Sequence, residues 1–494
     1  MTSNSVLPDD VLLLIFGYFA DEEQFTKKEI EAWQSLAHVC RQWRCVVFSF
    51  ARLLNLRLVC TPRTSTRDML DVWPGVPLLI QGEDFDTSGM NNIISALERN
   101  HVRKINLAGV SSLQLEKISA AMRKPIPELM HLELWSHDET VPVLPNSLLG
   151  GSAPSLRFLW LARIPFPGLP KLLLSATHLV DLHLSEIPRS GYIIPEAMAT
   201  TISSLTSLES LSLKFQSPRS LPVNRLIPEN PDWRSRRYVL PVLTYFWFKG
   251  ESEYLDNLVD HIETPQLMCL DITFFNDIEF DTPNLTQFVT RIPTLNIPEK
   301  ARVSFEKGAA RVNLSSHTSD YGALIVGISC SMSDWQVSAL EQVCTSCIPL
   351  FTKLEDLSIF ENPYSQPDWQ VNFEDEPLAG DEQWLELFNP FSNVKNLYLS
   401  EAFAPRIMLS LQRLQNQTAV GSNQLIVRSR KPAGGKTIER EFFLLPALQN
   451  VFLEGLQPSG PVQKATGQFV AARELTGHPV TVSRWDRRSG RSGF

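Results

Sequence analysis

The sequence is poor in cysteine, has no excess of basic charge and contains no long uninterrupted hydrophobic run. Seven cysteines scattered over 494 residues are typical of free thiols in a reducing compartment, and not of a disulfide framework. A formal net charge of −9 argues against general nucleic-acid binding, because such binding needs a basic face to displace counterions.

Membrane insertion and secretion are not expected either. A transmembrane helix needs a run of about 18 or more apolar residues, and no such run is present. The early apolar stretch lacks a basic flank and carries Asp9 and Asp10, so it does not read as a signal peptide. We therefore expect a cytoplasmic and/or nuclear protein that binds neither nucleic acid nor membrane.

Motifs of catalysis and metal binding are also missing. The stretch AGGKT (433–437) lacks the first glycine of a phosphate-binding loop and has no hydrophobic strand before it. CTSC (344–347) is a lone CxxC without the second cysteine or histidine pair of a zinc site. Nine histidines are too dispersed to nominate a general base. We expect no enzyme activity, no metal and no cofactor.

An apolar N-terminus stands out among the features that are present. In LPDDVLLLIFGYF (7–19), Pro8 suits a first helical turn, and Asp9 and Asp10 favour the positive helix end. Apolar residues then recur at helical spacing, here and in a second stretch around Trp33 to Val47. Two or three short helices cannot enclose this much apolar surface, so we expect a partner helix or a docked domain. The alternative is a helical cap that packs wholly against its own chain.

The same residues resemble the F-box family. Leu7-Pro8, Ile15-Phe16 and VCRQWR (39–44) follow in the order and at roughly the separation of that family, although the connector DEEQFTKKEIEA (21–32) is longer than usual. The resemblance implies that the exposed apolar face binds a Skp-family adaptor, which joins it to a cullin-based ubiquitin ligase. The residues carried over as contacts or supports of that interface are Leu7, Pro8, Val11, Leu12, Ile15, Phe16, Val39, Cys40 and Trp43.

Beyond residue 55 an LxxLxL pattern recurs at early intervals of about 23 to 29 residues, which matches a leucine-rich repeat. Examples are LMHLEL from Leu129, LRFLWL from Leu156 and LVDLHL from Leu179. Helix-compatible segments such as LEKISAAMRK lie between these strands. The pattern predicts an α/β solenoid, a curved parallel sheet with helical returns, in which each unit covers its neighbour. Unrelated strands of an α/β protein are the alternative.

The repeat is irregular, and the predicted domains reflect this. ARVSF and ARVNL, separated by EKGA, predict a hairpin where the spacing fails between 282 and 348. We assign 1–55 to the F-box, 56–485 to the repeat body and 486–494 to a basic tail. Polar insertions are expected near 217–238, 361–383 and 415–441. An F-box head followed by irregular repeats resembles the large fungal families of F-box proteins.

One position of each repeat is predicted to face outward from the sheet. In LxxLxL the last two leucines point into the core, so the residue between them points to the other side. Several of these positions carry large aromatic side chains, which folding does not require and interfaces favour. We expect a substrate-binding aromatic patch formed by Trp135, Phe158, Trp160, Tyr245 and Trp247, unless an insertion covers it.

These features predict a substrate-recognition subunit of a cullin-based (SCF-type) ubiquitin ligase. Such a receptor needs no active site, because it supplies proximity by holding a protein substrate near the ubiquitin-conjugating enzyme. The alternative is a non-proteolytic scaffold, in which the repeats bind a partner and the head recruits no ligase. A hydrolase or transferase would require a convergent polar site, which the sequence does not contain.

Overall fold

The structure is a computed structural model of the chain. It describes residues 7–20, 33–51, 53–54, 56–63, 73, 75–98, 101–216, 237–275, 282–295, 298–316, 324–330, 333–346, 351, 353–361, 381–419, 444–455 and 460–485. The chain forms two compact units. Unit 1 comprises Met1–Leu243 with His261–Pro265, and unit 2 comprises Thr244–Asp260 with Gln266–Phe494.

Among the described residues, the N-terminal part of unit 1 contains three short helices: α1 (Asp9–Ala20), α2 (Gln34–Ala37) and α3 (Arg41–Ser49). The Gln42 amide ties α3 to the start of α1, because its Nε2 donates to Leu7 O at 2.9 Å and to Asp9 Oδ1 at 2.8 Å. Trp33 connects this part to the chain that follows, since its Nε1 donates to Arg57 O at 2.9 Å. Its ring also packs edge-on against Trp73. These contacts therefore hold the N-terminal helices in place within unit 1.

The rest of unit 1 alternates strands with helices or turns. Its parallel sheet has the order β1 to β7. The elements are β1 (Leu58–Cys60), β2 (Leu78–Glu83), α4 (Thr87–Leu97), β3 (Val102–Val110), α5 (Ser112–Ala121), β4 (His131–Ser136), β5 (Phe158–Ala162), α6 (Leu169–Leu173), β6 (Asp181–Ile187), α7 (Pro195–Ile202) and β7 (Ser210–Phe215). A short parallel pair, β8 (Tyr238–Val239) with β10 (Ile262–Glu263), completes the unit.

Two ladders of buried aliphatic residues form the core face of this sheet. One ladder pairs Ile105, Leu132, Leu159, Leu182 and Leu211 across successive strands. The other runs two residues further on, through Leu107, Leu134, Leu161, Leu184 and Leu213. These are the last two apolar positions of each LxxLxL unit, so the pattern sets both the strand and the side that it buries.

Unit 2 continues the alternation of strands and helices. Its elements are β9 (Tyr245–Gly250), α8 (Ser252–Asp260), β11 (Cys269–Phe275), α9 (Pro283–Arg291), β12 (Lys300–Glu306), β13 (Ala309–Ser315), β14 (Leu324–Ser329), α10 (Ser333–Ser346), β15 (Asp356–Glu361), α11 (Asp381–Leu387), β16 (Asn396–Leu399), α12 (Ala404–Ala419), β17 (Asn450–Glu454), α13 (Pro461–Leu475) and β18 (Thr481–Trp485). The predicted α/β class, with a helical N-terminal region and a parallel sheet with helical returns, is confirmed.

The sheet of unit 2 departs from the parallel pattern at one place. Its strand order is β9-β11-β14-β13-β12-β15-β16-β17-β18, and β13 runs antiparallel to both of its neighbours. The predicted hairpin is confirmed: β12 pairs β13 through a two-residue loop in which Gly308 has φ +79°. The core register persists through the reversal, because Ile272, Val326, Val312, Val303 and Ile359 pair in sequence and are all buried.

The predicted insertions overlap regular structure at their boundaries. Helix α12 extends through Ala419, so the segment predicted from Gln415 begins inside a helix. Helix α11 begins at Asp381, within the segment predicted to end at 383, and β8 includes Tyr238. Residues 217–236, 362–380 and 420–443, like the tail 486–494, lie outside the described residues. Among the helices that are described, none has the length and apolarity needed to cross a membrane.

A buried carboxylate joins two successive repeats of unit 2. Helix α9 starts at Pro283, and Thr282 before it makes no side-chain capping bond. Asp256 of α8 replaces that cap: its Oδ1 accepts from Leu285 N and its Oδ2 from Asn284 Nδ2, both at 2.9 Å. Burial raises the pKa of Asp256 above its usual value, although these hydrogen bonds oppose the shift. These bonds cap α9 from a neighbouring helix. The raised pKa means that burial outweighs them for the ionised form of Asp256.

This raised pKa predicts how Asp256 affects stability as the pH changes. A group whose pKa is raised by folding contributes most below its unfolded pKa, and that contribution is lost as the pH rises through its folded pKa. We therefore expect the stability of the native chain relative to the Asp256→Asn variant to fall as the pH rises from below 3.8 through the raised pKa. Urea unfolding midpoints of both chains over that range measure it. A relative stability that increases with pH would contradict a raised pKa of Asp256 in the folded chain.

Candidate interaction surfaces

Helix α1 carries two separate apolar stripes. Leu12 and Phe16 are buried, and the Phe16 ring packs edge-on against Trp43 of α3 with centroids 4.9 Å apart. Leu14 and Ile15 are 70% and 39% exposed, and Leu7 just before the helix is also exposed. At 100° per residue, Leu14 lies on the side opposite to Leu12 and Phe16, and Ile15 lies between the two sides. The sequence predicted one broad apolar face on this helix. In the structure, part of the apolar surface packs against α3 and part of it is exposed to solvent.

The start of α3 adds to the outer apolar surface. Val39 and Cys40 are exposed, Pro8 is exposed, and Val11 and Trp43 are half-buried. Cys40 also has a structural role, because its Sγ accepts from Trp43 N at 3.4 Å and caps the helix. Of the nine residues predicted for this interface, Leu12 and Phe16 are therefore in the interior and the other seven are accessible to a partner.

The outward face of the unit 1 sheet carries a stack of rings. Phe158 lies parallel to His131, with centroids 4.1 Å apart and an interplanar angle of 2°, and packs at 5.6 Å against His183. His131 Nε2 lies 3.4 Å from Glu133 Oε2. Burial lowers the pKa of His183; the nearby Asp181 opposes this shift and Lys214 adds to it. The face thus carries a cluster of three packed rings beside the carboxylates of Glu133 and Asp181.

The predicted aromatic patch divides between the two units. In unit 1 Phe158 and Trp160 are half-buried, and Trp135 is exposed. Trp160 pairs in register between Glu133 and His183. In unit 2 Tyr245 is exposed and stacks on Trp247, with ring centroids 5.5 Å apart and an interplanar angle of 6°. All five side chains retain accessible surface.

A second aromatic cluster lies on the outward positions of unit 2. Tyr398 and Phe452 stack at 4.5 Å, and Trp485 of β18 packs edge-on against Tyr398 at 5.5 Å. Beside it, Asn450 Nδ2 donates to Asn396 Oδ1 at 2.8 Å, and Asn396 Nδ2 donates to Asp356 Oδ1 at 2.7 Å. The outward positions of Tyr398 and Phe452 follow from the repeat. Trp485 was missed because VTVSRW does not match the repeat, although its period-2 pattern is a strand signal.

The described residues form no group of three or more histidine, cysteine or acidic side chains that could hold a metal ion. Of the CTSC pair, Cys344 is buried and Cys347 lies outside the described residues. Along the faces described above, the polar side chains bond in strand register, as Asp356 and Asn396 do.

Comparison with known proteins bears on the N-terminal helices. Residues 5–53 match the F-box-like family model. The chain therefore carries an F-box-like domain at its N-terminus, as the resemblance implied. The leucine-rich repeat-containing protein LegL7 from Legionella pneumophila is similar in structure, with a TM-score of 0.28 and 13% identity over 86% of this chain and 99% of that chain. That likeness is too low to support an argument, and the fold class rests on the strand register itself. No curated protein matches the sequence.

Several exposed residues of the F-box-like domain were not predicted from the sequence. Leu14 is more exposed than Leu7, Ile15 or Val39. Phe48 and Phe50 at the end of α3 are also exposed, as is Leu53. Leu14 follows Leu7 and Val11 by seven and three residues, so helical spacing places all three on one side. That spacing could have identified Leu14 as an interface residue, but the sequence analysis did not select it from the run LLLIF.

Proposed function

We propose that this chain is the substrate-recognition subunit of a cullin-based ubiquitin ligase. Its F-box-like domain binds a Skp-family adaptor, and its sheet faces bind the protein substrate. The observation that carries the proposal is the outer apolar stripe of Leu7, Leu14 and Ile15, continued by Val39, on a segment that matches the F-box-like family. Exposed aliphatic side chains on short helices are unfavourably hydrated, and a partner that covers them removes this cost.

Burial of this stripe would supply an appreciable part of the free energy of binding. Covering four such side chains contributes roughly 1.5–3 kcal/mol each. The sum, about 6–12 kcal/mol, exceeds the lower estimates of the cost of association. The inner residues Leu12 and Phe16 hold the helix in place. In this proposal the chain itself is not an enzyme, and it acts in the cytoplasm or nucleus.

Purification of the tagged chain from cells tests the proposal in two steps. We expect a Skp-family adaptor and a cullin to co-purify with the chain in comparable amounts. Recovery of the adaptor without the cullin would favour the non-proteolytic scaffold instead. Recovery of neither would remove the proposed function, because the outer stripe would then have no ligase-linked partner.

The aromatic side chains on the sheet faces predict where the substrate binds. Changing Trp160 and Trp247 to alanine is expected to weaken substrate capture by roughly tenfold or more, since buried tryptophans are frequent hot spots worth about 2 kcal/mol or more. Quantitative proteomics of ubiquitylated proteins bound to each chain measures this effect. The two single variants report on unit 1 and unit 2 separately.

The control for this experiment is Leu174→Ala, which changes an exposed apolar residue that follows α6. It should retain the full set of captured proteins. Adaptor binding should be unchanged in every one of these variants, because Trp160 and Trp247 lie outside the F-box-like domain. Full capture by the double variant would remove the aromatic patch from the substrate site.

A further inference from the structure

Arginines occupy alternate strands at the N-terminal edge of the unit 1 sheet. Arg57 precedes β1, Arg103 lies at the start of β3, and Arg157 precedes β5. Backbone bonds define this row: Met130 N donates to Arg103 O, and Arg157 N to Met130 O, each at 2.8 Å. Neighbouring strands lie about 4.8 Å apart, so Arg103 and Arg157, which are two strands apart, start roughly 9–10 Å apart.

A β-bulge at the start of β3 sets the position of Arg103 at this edge. Val102 pairs Leu78 while Lys104 pairs Leu79, so Arg103 is an extra residue in β3. Such a bulge redirects a side chain relative to the regular alternation of the strand. Between the arginines, the row carries Pro77 before β2 and Met130 before β4. The edge therefore presents charged and apolar side chains in alternation.

A groove of about 410 Å³ lies along this edge, within the range of roughly 300–1,000 Å³ that ligand pockets span. Arg103, Arg157 and Met130 line it from the strand row, and Ser155 and His178 line it from the turns. Glu128 is the acidic residue of the lining, and its Oε1 lies 3.5 Å from His101 Nδ1. Two guanidinium groups thus line the same groove in a chain whose net charge is −9.

The row contains like charges that interact unfavourably. Burial, followed by the charge of Arg103, lowers the pKa of Arg57. An anionic group bound beside Arg103 and Arg157 would interact favourably with both guanidinium charges. Guanidinium groups bind carboxylates through two parallel hydrogen bonds, which favours arginine over lysine at such a site.

We propose that this groove binds an acidic, extended segment of a partner protein that carries a carboxylate at every third residue. A polyproline II segment rises about 3.1 Å per residue with three residues per turn, so every third side chain lies on one side about 9.3 Å apart. This repeat matches the spacing of Arg103 and Arg157 in the groove. Intervening apolar residues of the segment contact Met130 and Pro77. A single small anion does not span the row.

Fluorescence anisotropy with the full chain tests the proposal. The probe is a labelled peptide of repeated Glu-Pro-Ala units, and the matched probe has Gln-Pro-Ala units. We expect the glutamate probe to bind at least about tenfold more tightly, a difference of about 1.4 kcal/mol, and its affinity to fall as salt screens the charges. Equal binding of the two probes would overturn the proposal.

Variants of the chain test whether the glutamate probe binds in this groove. Changing Arg103 and Arg157 to glutamine should weaken the glutamate probe about tenfold or more, because truncated charge pairs at interfaces cost at least this much. Arg189→Gln makes the same type of charge change at an exposed residue after β6 and should leave binding intact. An equal loss in that control would show that only net charge matters and would overturn the assignment of the groove.

Competition separates an extended segment from a small anion. Inorganic phosphate should displace the probe only at concentrations that act through ionic strength. Displacement at concentrations similar to the probe's own dissociation constant would assign the groove to a small anion and overturn the proposal. Adaptor binding by the same variants reports on the F-box-like domain alone, so failure here is distinguishable from failure of the proposed ligase function.

Discussion

Changing Leu14 and Ile15 to aspartate is expected to lower the affinity of the chain for a Skp-family adaptor by at least about 100-fold. Two buried aliphatic side chains contribute roughly 3–6 kcal/mol to an interface, and 100-fold corresponds to about 2.7 kcal/mol. The introduced carboxylates add the cost of removing charges from water without partners. Both residues are exposed in the free chain, so the change affects the interface and leaves the fold intact.

A matched control is available on another helix of unit 1. Leu113 of α5 is 63% exposed, close to the 70% of Leu14, and an aspartate in the first turn of a helix is favourable. The Leu113→Asp variant should bind the adaptor like the native chain. Binding is measured by titrating purified adaptor against each chain. Equal affinities of the Leu14/Ile15 variant and this control would contradict the assignment of the outer stripe.

The second large effect is expected in the core of unit 2. Phe305 of β12 is fully buried and packs against Trp384 of α11 at 5.5 Å and against Phe403 at 5.2 Å. Trp384 and Phe403 also contact each other at 5.4 Å, so the three rings form one cluster. Phe305→Ala should lower the free energy of unfolding by about 3–5 kcal/mol, because it removes a buried ring and leaves a cavity.

Urea unfolding of the full chain, followed by tryptophan fluorescence, measures this loss, since Trp384 lies in the cluster. The control is Met268→Ala at an exposed position of the same unit, for which a change within about 0.5 kcal/mol is expected. A Phe305→Ala variant as stable as the Met268→Ala variant would show that β12 is not packed on these helices. The antiparallel part of the sheet would then need to be reassigned.

The repeat and its orientation were available from the sequence for a physical reason. Residues two apart in a strand face the same side, so the pair Leu132 and Leu134 specifies both the strand and its buried face. The outward positions of Trp160 and Trp247 follow directly. The hairpin was also predictable, because ARVSF and ARVNL alternate with period two around a glycine. Each of these signals is local in the chain.

Properties that depend on contacts between distant parts of the chain could not be predicted from the sequence. Leu12 and Leu14 of α1 are equally apolar, yet Leu12 is buried on the side where Phe16 packs on Trp43, and Leu14 is exposed. The capping of α9 by Asp256, the cluster around Phe305 and the bulge at Arg103 likewise join residues that are far apart in sequence. The sequence by itself thus determined the strands, their buried faces and the apolar N-terminal helix. Only the tertiary structure decided which apolar and charged side chains remain exposed, because burial depends on contacts that local periodicity does not encode.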